Sequence, residues 1–242
     1  MSDIEELELR LKLSAFRRRA WIPEVVDDDG APTDSKFSGR PFLAPGESWP
    51  KCGNCGQPMQ LFVQLNARDL PADSERALDG GILQFFYCTS ERPHCEGECE
   101  AYFPNAKSTL LRLLAPQGVA PSVAEEPSVD MFPPRRIVSW TEVPDYPNWE
   151  ELDELGIELA DEESDTLAEQ DFPHIGDKLL GWPAWVQGVE YPSCPECGSR
   201  MELLFQIDSE DNLPYMFGDT GTGHITQCPV HRNRLAFGWA CC

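Results

Sequence analysis

Two runs of apolar residues have strand length and end in turn-forming residues: Met59-Gln-Leu-Phe-Val-Gln-Leu65 and Met201-Glu-Leu-Leu-Phe-Gln-Ile207. Branched and aromatic side chains dominate both, Gly or Pro precedes them and Asn or Asp follows, so both predict strands. Ile82-Leu-Gln-Phe-Phe-Tyr-Cys88 and His224-Ile-Thr-Gln-Cys228 predict their return strands. The second return strand is entered through Gly218-Asp-Thr-Gly-Thr-Gly223, a hairpin turn that lacks the Lys-Ser/Thr of a phosphate loop. The N-terminus carries two patterns. Ile4, Leu7, Leu11 and Ala15 share a helical face, while Leu7, Leu9, Leu11 and Leu13 alternate like a strand; we take the helix, followed by a strand at Arg19-Ala-Trp-Ile-Pro-Glu24. Ala115 to Pro134, with Pro116, Pro121, Pro127, Pro133 and Pro134, predicts an extended connector.

The strand pattern repeats. Residues 39–66 align with residues 181–208 at a constant offset of 142 without a gap, and ten of the 28 positions are identical. The identities are Gly39/Gly181, Pro41/Pro183, Gly46/Gly188, Pro50/Pro192, both cysteines of a CxxC, the glycine after it, and then Met, Leu and Gln. Chance likeness of two cysteine-rich turns accounts for the cysteines but not for the surrounding prolines and glycines, so we read an intragenic duplication. The expected fold is α+β and predominantly antiparallel β, with duplicated CxxC-containing β units in a pseudo-twofold relation and an N-terminal helix. The expected organisation is an N-terminal helix and strand at 1–37, a first β repeat at 38–114, a connector with an acidic segment at 115–180 and a second β repeat at 181–242, both repeats in one compact domain.

Charge narrows the function classes. The 242 residues hold 19 Lys+Arg against 42 Asp+Glu, a net charge of −23, which repels phosphate backbones and disfavours direct nucleic-acid binding. The same charge attracts basic proteins. From Ile137 to Asp177 there are 14 acidic residues and no Lys or Arg, which reads as a solvated face or, more sharply, as a docking surface for a basic partner. No apolar run approaches a bilayer span and Met1-Ser-Asp-Ile-Glu-Glu6 lacks the features of a signal peptide, so the expected location is the cytoplasm and no membrane is involved.

In a reducing compartment, ten cysteines call for metal, redox chemistry or burial. Cys52-x2-Cys55 is followed after 32 residues by Cys88-x6-Cys95, with Cys99 as a spare; Cys194-x2-Cys197 is followed after 30 residues by Cys228-Pro-Val-His231, with Cys241 and Cys242 at the end. Tetrahedral Zn2+ takes four soft or borderline ligands, and two ligand-bearing turns at adjacent strand ends supply them. Gly56 and Gly198 can take positive φ and turn backbone N–H groups toward the sulfurs. The expectation is one or two structural zinc sites. Three alternatives stand beside it: a thioredoxin-type redox pair, one site decayed to buried thiols, or Cys241 or Cys242 replacing His231. His94, His174 and His224 are isolated and read as surface or turn residues, and the seven tryptophans as core and loop anchors.

At Ser38-Gly-Arg-Pro-Phe-Leu-Ala-Pro-Gly-Glu-Ser-Trp-Pro50, the first CxxC-Gly turn, and the closing Phe217-Gly-Asp-Thr-Gly…Gln-Cys-Pro-Val-His…Leu-Ala-Phe-Gly-Trp-Ala-Cys-Cys242, the chain resembles the YwqG-like bacterial family of unknown function. Its first CxxC segment and Phe86-Tyr-Cys-Thr-Ser-Glu-Arg-Pro-His-Cys95 are also similar to the programmed cell death protein 2 family. That resemblance implies that Cys52, Cys55, Cys88 and Cys95 form one site and that Cys99 lies outside it. It also implies a client-binding role, since those eukaryotic relatives act as chaperones for a small-subunit ribosomal protein. The expected function is thus a non-enzymatic, zinc-stabilised module that binds a basic protein or peptide as a chaperone or assembly factor does. The alternatives are an enzyme, thiol redox or hydrolytic, and an immunity-type protein that binds a toxin. Oligomeric state is not legible.

Overall fold

The computed structural model describes residues 7, 9, 11–72, 74–91, 95, 103–115, 130–169 and 172–241. Among these residues there are ten strands: β1 (Arg18–Val26), β2 (Lys36–Phe37), β3 (Gln60–Asn66), β4 (Ile82–Tyr87), β5 (Thr109–Leu114), β6 (Arg135–Asp145), β7 (Lys178–Leu180), β8 (Glu202–Asp208), β9 (Thr222–Gln227) and β10 (Leu235–Ala240). They join one antiparallel sheet in the order β10-β9-β8-β7-β1-β6-β2-β3-β4-β5. The sheet curls until its two edges, β5 and β10, touch across a cavity of about 190 Å³ lined by residues of both strands. The result is a nearly closed, barrel-like sheet.

This corrects the expected α+β class with an N-terminal helix. Helix is sparse among the described residues: two short helices, α1 (Trp149–Glu154) and α2 (Asp161–Glu169), lie wholly within them, residues 7, 9, 11, 12 and 95 are also helical, and none of these forms a layer. Much of the proposed N-terminal helix lies outside the described residues. What is described there is helical backbone at residues 7, 9, 11 and 12, with the Leu13 N–H on the Leu9 carbonyl, then a 3-10 turn at Ser14–Phe16 and β1; this short piece does not make the α layer expected. The misreading has a physical cause: β6 hides inside the stretch read as connector and acidic segment, because an 11-residue strand that begins Arg135-Arg136 and ends at Asp145 lacks an apolar run. The expected connector lies largely outside the described residues.

The predicted strands at 59–65, 82–88, 201–207 and 224–228 correspond to β3, β4, β8 and β9. The strand order reads the same from either end about the central β1–β6 pair. The first strand of each half crosses over: β1 pairs with β7 of the second half, and β6 pairs with β2 of the first. The halves are therefore stitched together rather than apposed. Phe37, Phe62, Phe85 and Tyr87 from one half and Phe205, Phe217 and Phe237 from the other fill a single aromatic interior.

The outer face of the sheet is polar and covered, and it shows what the matched residues do. Lys36 on β2 and Lys178 on β7 occupy equivalent positions, and both side chains are fully buried. Lys36 Nζ donates to Asp29 Oδ1 at 2.8 Å and to the Arg40 carbonyl at 3.2 Å; Lys178 Nζ donates to Asp145 Oδ2 at 3.0 Å and to the His174 carbonyl. Those carboxylates also accept backbone N–H groups of the covering arm, Arg40 in the first half and Trp182 in the second. Gly39 (φ +76) and Gly181 (φ +82) pass so close that an added Cβ would stand 2.3 Å from Asp29 Oδ1 or Asp145 Oδ2. Gln64 and Gln206 repeat one pattern. Gln64 Oε1 accepts Phe42 N–H and Gln206 Oε1 accepts Ala184 N–H, each at 2.8 Å, while their Nε2 groups donate to Pro32 and Asp34 or to His174 and Gly176.

A buried charge with no partner is strongly destabilising. Lys178→Met leaves the fully buried Asp145 carboxyl without its cation and is expected to cost about 3–5 kcal/mol in urea unfolding, whereas Arg19→Met at the exposed Arg19–Glu142 pair is expected to cost less than about 1 kcal/mol. Equal losses at the two positions would contradict this assignment.

Candidate metal centres

The arms held by those ion pairs end in two turns of the same shape. In the first, Cys52 N–H donates to the Gln57 carbonyl and Gly56 N–H to the Cys52 carbonyl; in the second, Cys194 N–H donates to Ser199 and Gly198 N–H to Cys194. Single antiparallel bridges, Lys51 to Pro58 and Ser193 to Arg200, close their bases. Gly56 and Gly198 both sit at φ +71, where a side chain would be strained, which is why glycine follows each second cysteine. Asn54 N–H points at Cys52 Sγ (3.4 Å), and the His231 and Val230 N–H groups point at Cys228 Sγ (3.2 and 3.4 Å).

All eight predicted ligands converge into two groups of four, Cys52, Cys55, Cys88 and Cys95, and Cys194, Cys197, Cys228 and His231, with the ligand atoms of each group within 4.8 Å of one another. The separations discriminate between chemistries. Cys52 Sγ and Cys95 Sγ are 3.5 Å apart, Cys55 and Cys88 3.6 Å, and Cys197 and Cys228 3.7 Å. A disulfide requires about 2.05 Å; tetrahedral Zn–S bonds of about 2.3 Å place two sulfurs about 3.8 Å apart. His231 presents Nδ1 to Cys194 Sγ at 3.7 Å and to Cys228 Sγ at 4.0 Å. Its Nε2 meets Glu196 Oε2 at 3.4 Å, and a carboxylate there fixes the ring with Nδ1 free to ligate. Both clusters are geometrically compatible with zinc.

Electrostatics point the same way. In the first cluster, burial pushes Cys88 up to about 12 and raises Cys95, while Cys55, also pushed up by burial, is brought down to about 7 by the Gln57 N–H and the adjoining thiols. In the second, hydrogen bonds to Ser199 hold Cys197 at about 6, and contact with the thiols of Cys194 and Cys197 raises His231. Burial raises Cys228. Crowded thiols ionise against one another, and a divalent cation supplies the counter-charge that lets all of them be thiolates.

Each CxxC lies in a turn between β segments rather than at the start of a helix, the setting a thioredoxin-type pair uses. Cys241 is half-buried against Gly218, away from the second cluster, whereas Cys99 and Cys242 lie outside the described residues, as does His94. His224 corrects a sequence reading: it is a buried residue of β9, its ring 4.6 Å from that of Trp185. The 14 acidic residues from Ile137 to Asp177 are also not one solvated face, because Asp145, Glu151 and Asp177 are buried. Glu151 accepts the Trp185 indole N–H at 2.9 Å and the Tyr191 hydroxyl at 3.0 Å and pairs with Arg200. These residues were hidden because burial of a polar side chain depends on partners far away in sequence.

The fold and these centres define a barrel-like antiparallel β protein with two cysteine-rich, four-ligand clusters. The chain belongs to the family described as a domain of unknown function (DUF1963), whose model matches residues 35–230. A stretch of 44 residues is 46% identical to the uncharacterized protein YpfL of Salmonella typhimurium, covering 18% of this chain and 10% of that protein. The chain thus spans a small part of that relative's length. Among the described residues no helix is long and apolar enough to cross a membrane.

Burial holds the His224 imidazole neutral, its pKa lowered to about 3 from 6.5. As pH falls below 6.5 the unfolded chain binds a proton that the native ring refuses, so native stability is full above that pH and declines toward pH 3. Relative to His224→Gln, the wild type is expected to lose about 2 kcal/mol between pH 7 and pH 5 in urea unfolding. A pH-independent difference would contradict the neutral buried ring.

Proposed function

We propose that this protein is a non-enzymatic, cytoplasmic binding module whose two clusters hold structural Zn2+ and whose client is a basic protein or peptide. The observation that carries the reading is the completeness of each cluster. Four protein ligands fill a tetrahedral ion, so no position is left for water or substrate, and the metal's task is to fix the covering arms. The offset of 142 shared by the ligand turns, the buried lysines and the arm-holding glutamines supports an origin by duplication.

The client reading is supported by charge. With −23 overall, and with Asp153, Glu154, Glu158, Asp161, Glu162 and Asp165 exposed on and around α1 and α2, the surface suits a partner rich in Lys and Arg. The resemblance read in the sequence of the first CxxC segment to the programmed cell death protein 2 family supports handling of a small-subunit ribosomal protein, and the resemblance to the YwqG-like family supports a bacterial counterpart of that role.

The zinc-loaded protein is expected to form a complex with a purified basic small-subunit ribosomal protein at about 0.05 M salt and to release it at about 0.5 M. Replacing Asp153, Glu158, Asp161, Glu162 and Asp165 by Asn or Gln, with Glu151 left intact, is expected to weaken capture. No complex at low salt, or capture indifferent to salt and to these substitutions, would overturn the client reading.

A further inference from the structure

The two halves differ most sharply at one place on the outer face. In the first half, Arg112 on β5 lies opposite Gln84 on β4; in the second, Gly238 on β10 lies opposite His224 on β9. Two more positions shrink in step: the Phe86–Leu110 pair corresponds to Thr226 and Ala236. Arg112 fills its half. Its Nε donates to Gln84 Oε1 at 2.8 Å, its Nη1 pairs with the Glu47 carboxylate, and its guanidinium carbon sits 5.5 Å from the centre of the Phe86 ring. In the second half the corresponding space is a cavity of about 300 Å³, lined by Trp185, Tyr191, Trp239, His224, Gly238 and the rim residue Glu190 among others.

The cavity has the groups a guanidinium uses. His224 engages the Ala184 carbonyl, as Gln84 Nε2 engages Phe42 at the equivalent place, and its Nε2 is buried without a hydrogen-bond partner. With the other ring nitrogen donating, Nε2 is an acceptor in the role Gln84 Oε1 plays toward Arg112. Glu190, next in sequence to the Val189 that corresponds to Glu47, lines the cavity with a carboxylate, and the Trp185 indole, 4.6 Å from the His224 ring, offers a better cation–π face than Phe86. The volume lies at the small end of ligand pockets, suited to one side chain.

We propose that this cavity receives an arginine side chain of a polypeptide partner, which takes in the second half the place Arg112 takes in the first. The proposal rests on the protein-binding reading above and gives it an anchor point. A lysine fits less well: its ammonium is more strongly hydrated and cannot stack flat on an indole while donating to an acceptor and a carboxylate at once.

The test is calorimetric titration of the zinc-loaded full chain with N-acetyl-arginine amide, N-acetyl-lysine amide and an arginine-containing peptide. The arginine amide is expected to bind at least about tenfold more tightly than the lysine amide, and the peptide more tightly than either. Gly238→Arg, which supplies the first half's own plug, is expected to abolish binding. His224→Leu, which keeps the size but removes the acceptor, is expected to weaken it about tenfold, and His224→Gln to retain most of it. Equal affinity for the two amides, or full binding by Gly238→Arg or His224→Leu, would overturn the assignment. Binding of the amide but not the peptide would make this a small-guanidine site and overturn the polypeptide occupant. No binding by any probe, with a basic client still captured, would sink the pocket alone; loss of client capture as well would sink the function.

Discussion

A lysine buried on the outer face of each half sets the geometry on which the rest of the structure depends. An ammonium removed from water must keep a carboxylate and carbonyls around it. Lys36 is met by Asp29, and Lys178 by Asp145. The carboxylates then capture the backbone of the arm, and Gly39 and Gly181 are the residues that let the chain pass at that distance. Each arm, fixed at its start, runs across the sheet and ends in a cysteine turn facing the end of the next strand. Ion pair, glycine turn and ligand cluster are one device, built twice.

The exchange of β1 and β6 makes the two copies interdependent. Asp145, which holds the second arm, is the last residue of a strand whose first residues pair with β2 of the first half. The two halves differ on the outer face away from those ion pairs. Arg112, Phe86 and Leu110 pack one outer face solidly, whereas Gly238, Thr226 and Ala236 leave the other open beside a histidine with an unused nitrogen.

The ligands were legible because metal chemistry demands particular residue types at short spacings, and the repetition of Cys-x2-Cys-Gly at an offset of 142 marked them twice. The strands that carry continuous apolar runs, β3, β4, β8 and β9, were legible for the same local reason. The fold class was not. Strands β2 and β7 are two and three residues long, and β6 is too charged to stand out, so their place in the sheet depends on pairings remote in sequence. The function of Gly39 and Gly181 was equally invisible, since only the approach of Asp29 and Asp145 explains it. His224 read as an isolated polar residue because its neighbours, Trp185 and Gly238, arrive from other segments.

Two closed, four-ligand zinc sites holding the covering arms are the arrangement proposed for this protein. X-ray absorption at the zinc edge, on protein purified without added metal and assayed for zinc content, measures this directly. The account predicts two zinc ions per chain from the two clusters. It also predicts an average shell dominated by sulfur at about 2.3 Å, with a minor nitrogen contribution from one histidine at about 2.0–2.1 Å. An oxygen scatterer in place of sulfur would mean an open, water-bearing site, and protein without zinc whose thiols all titrate freely would leave the arms with no metal at all; either result contradicts it.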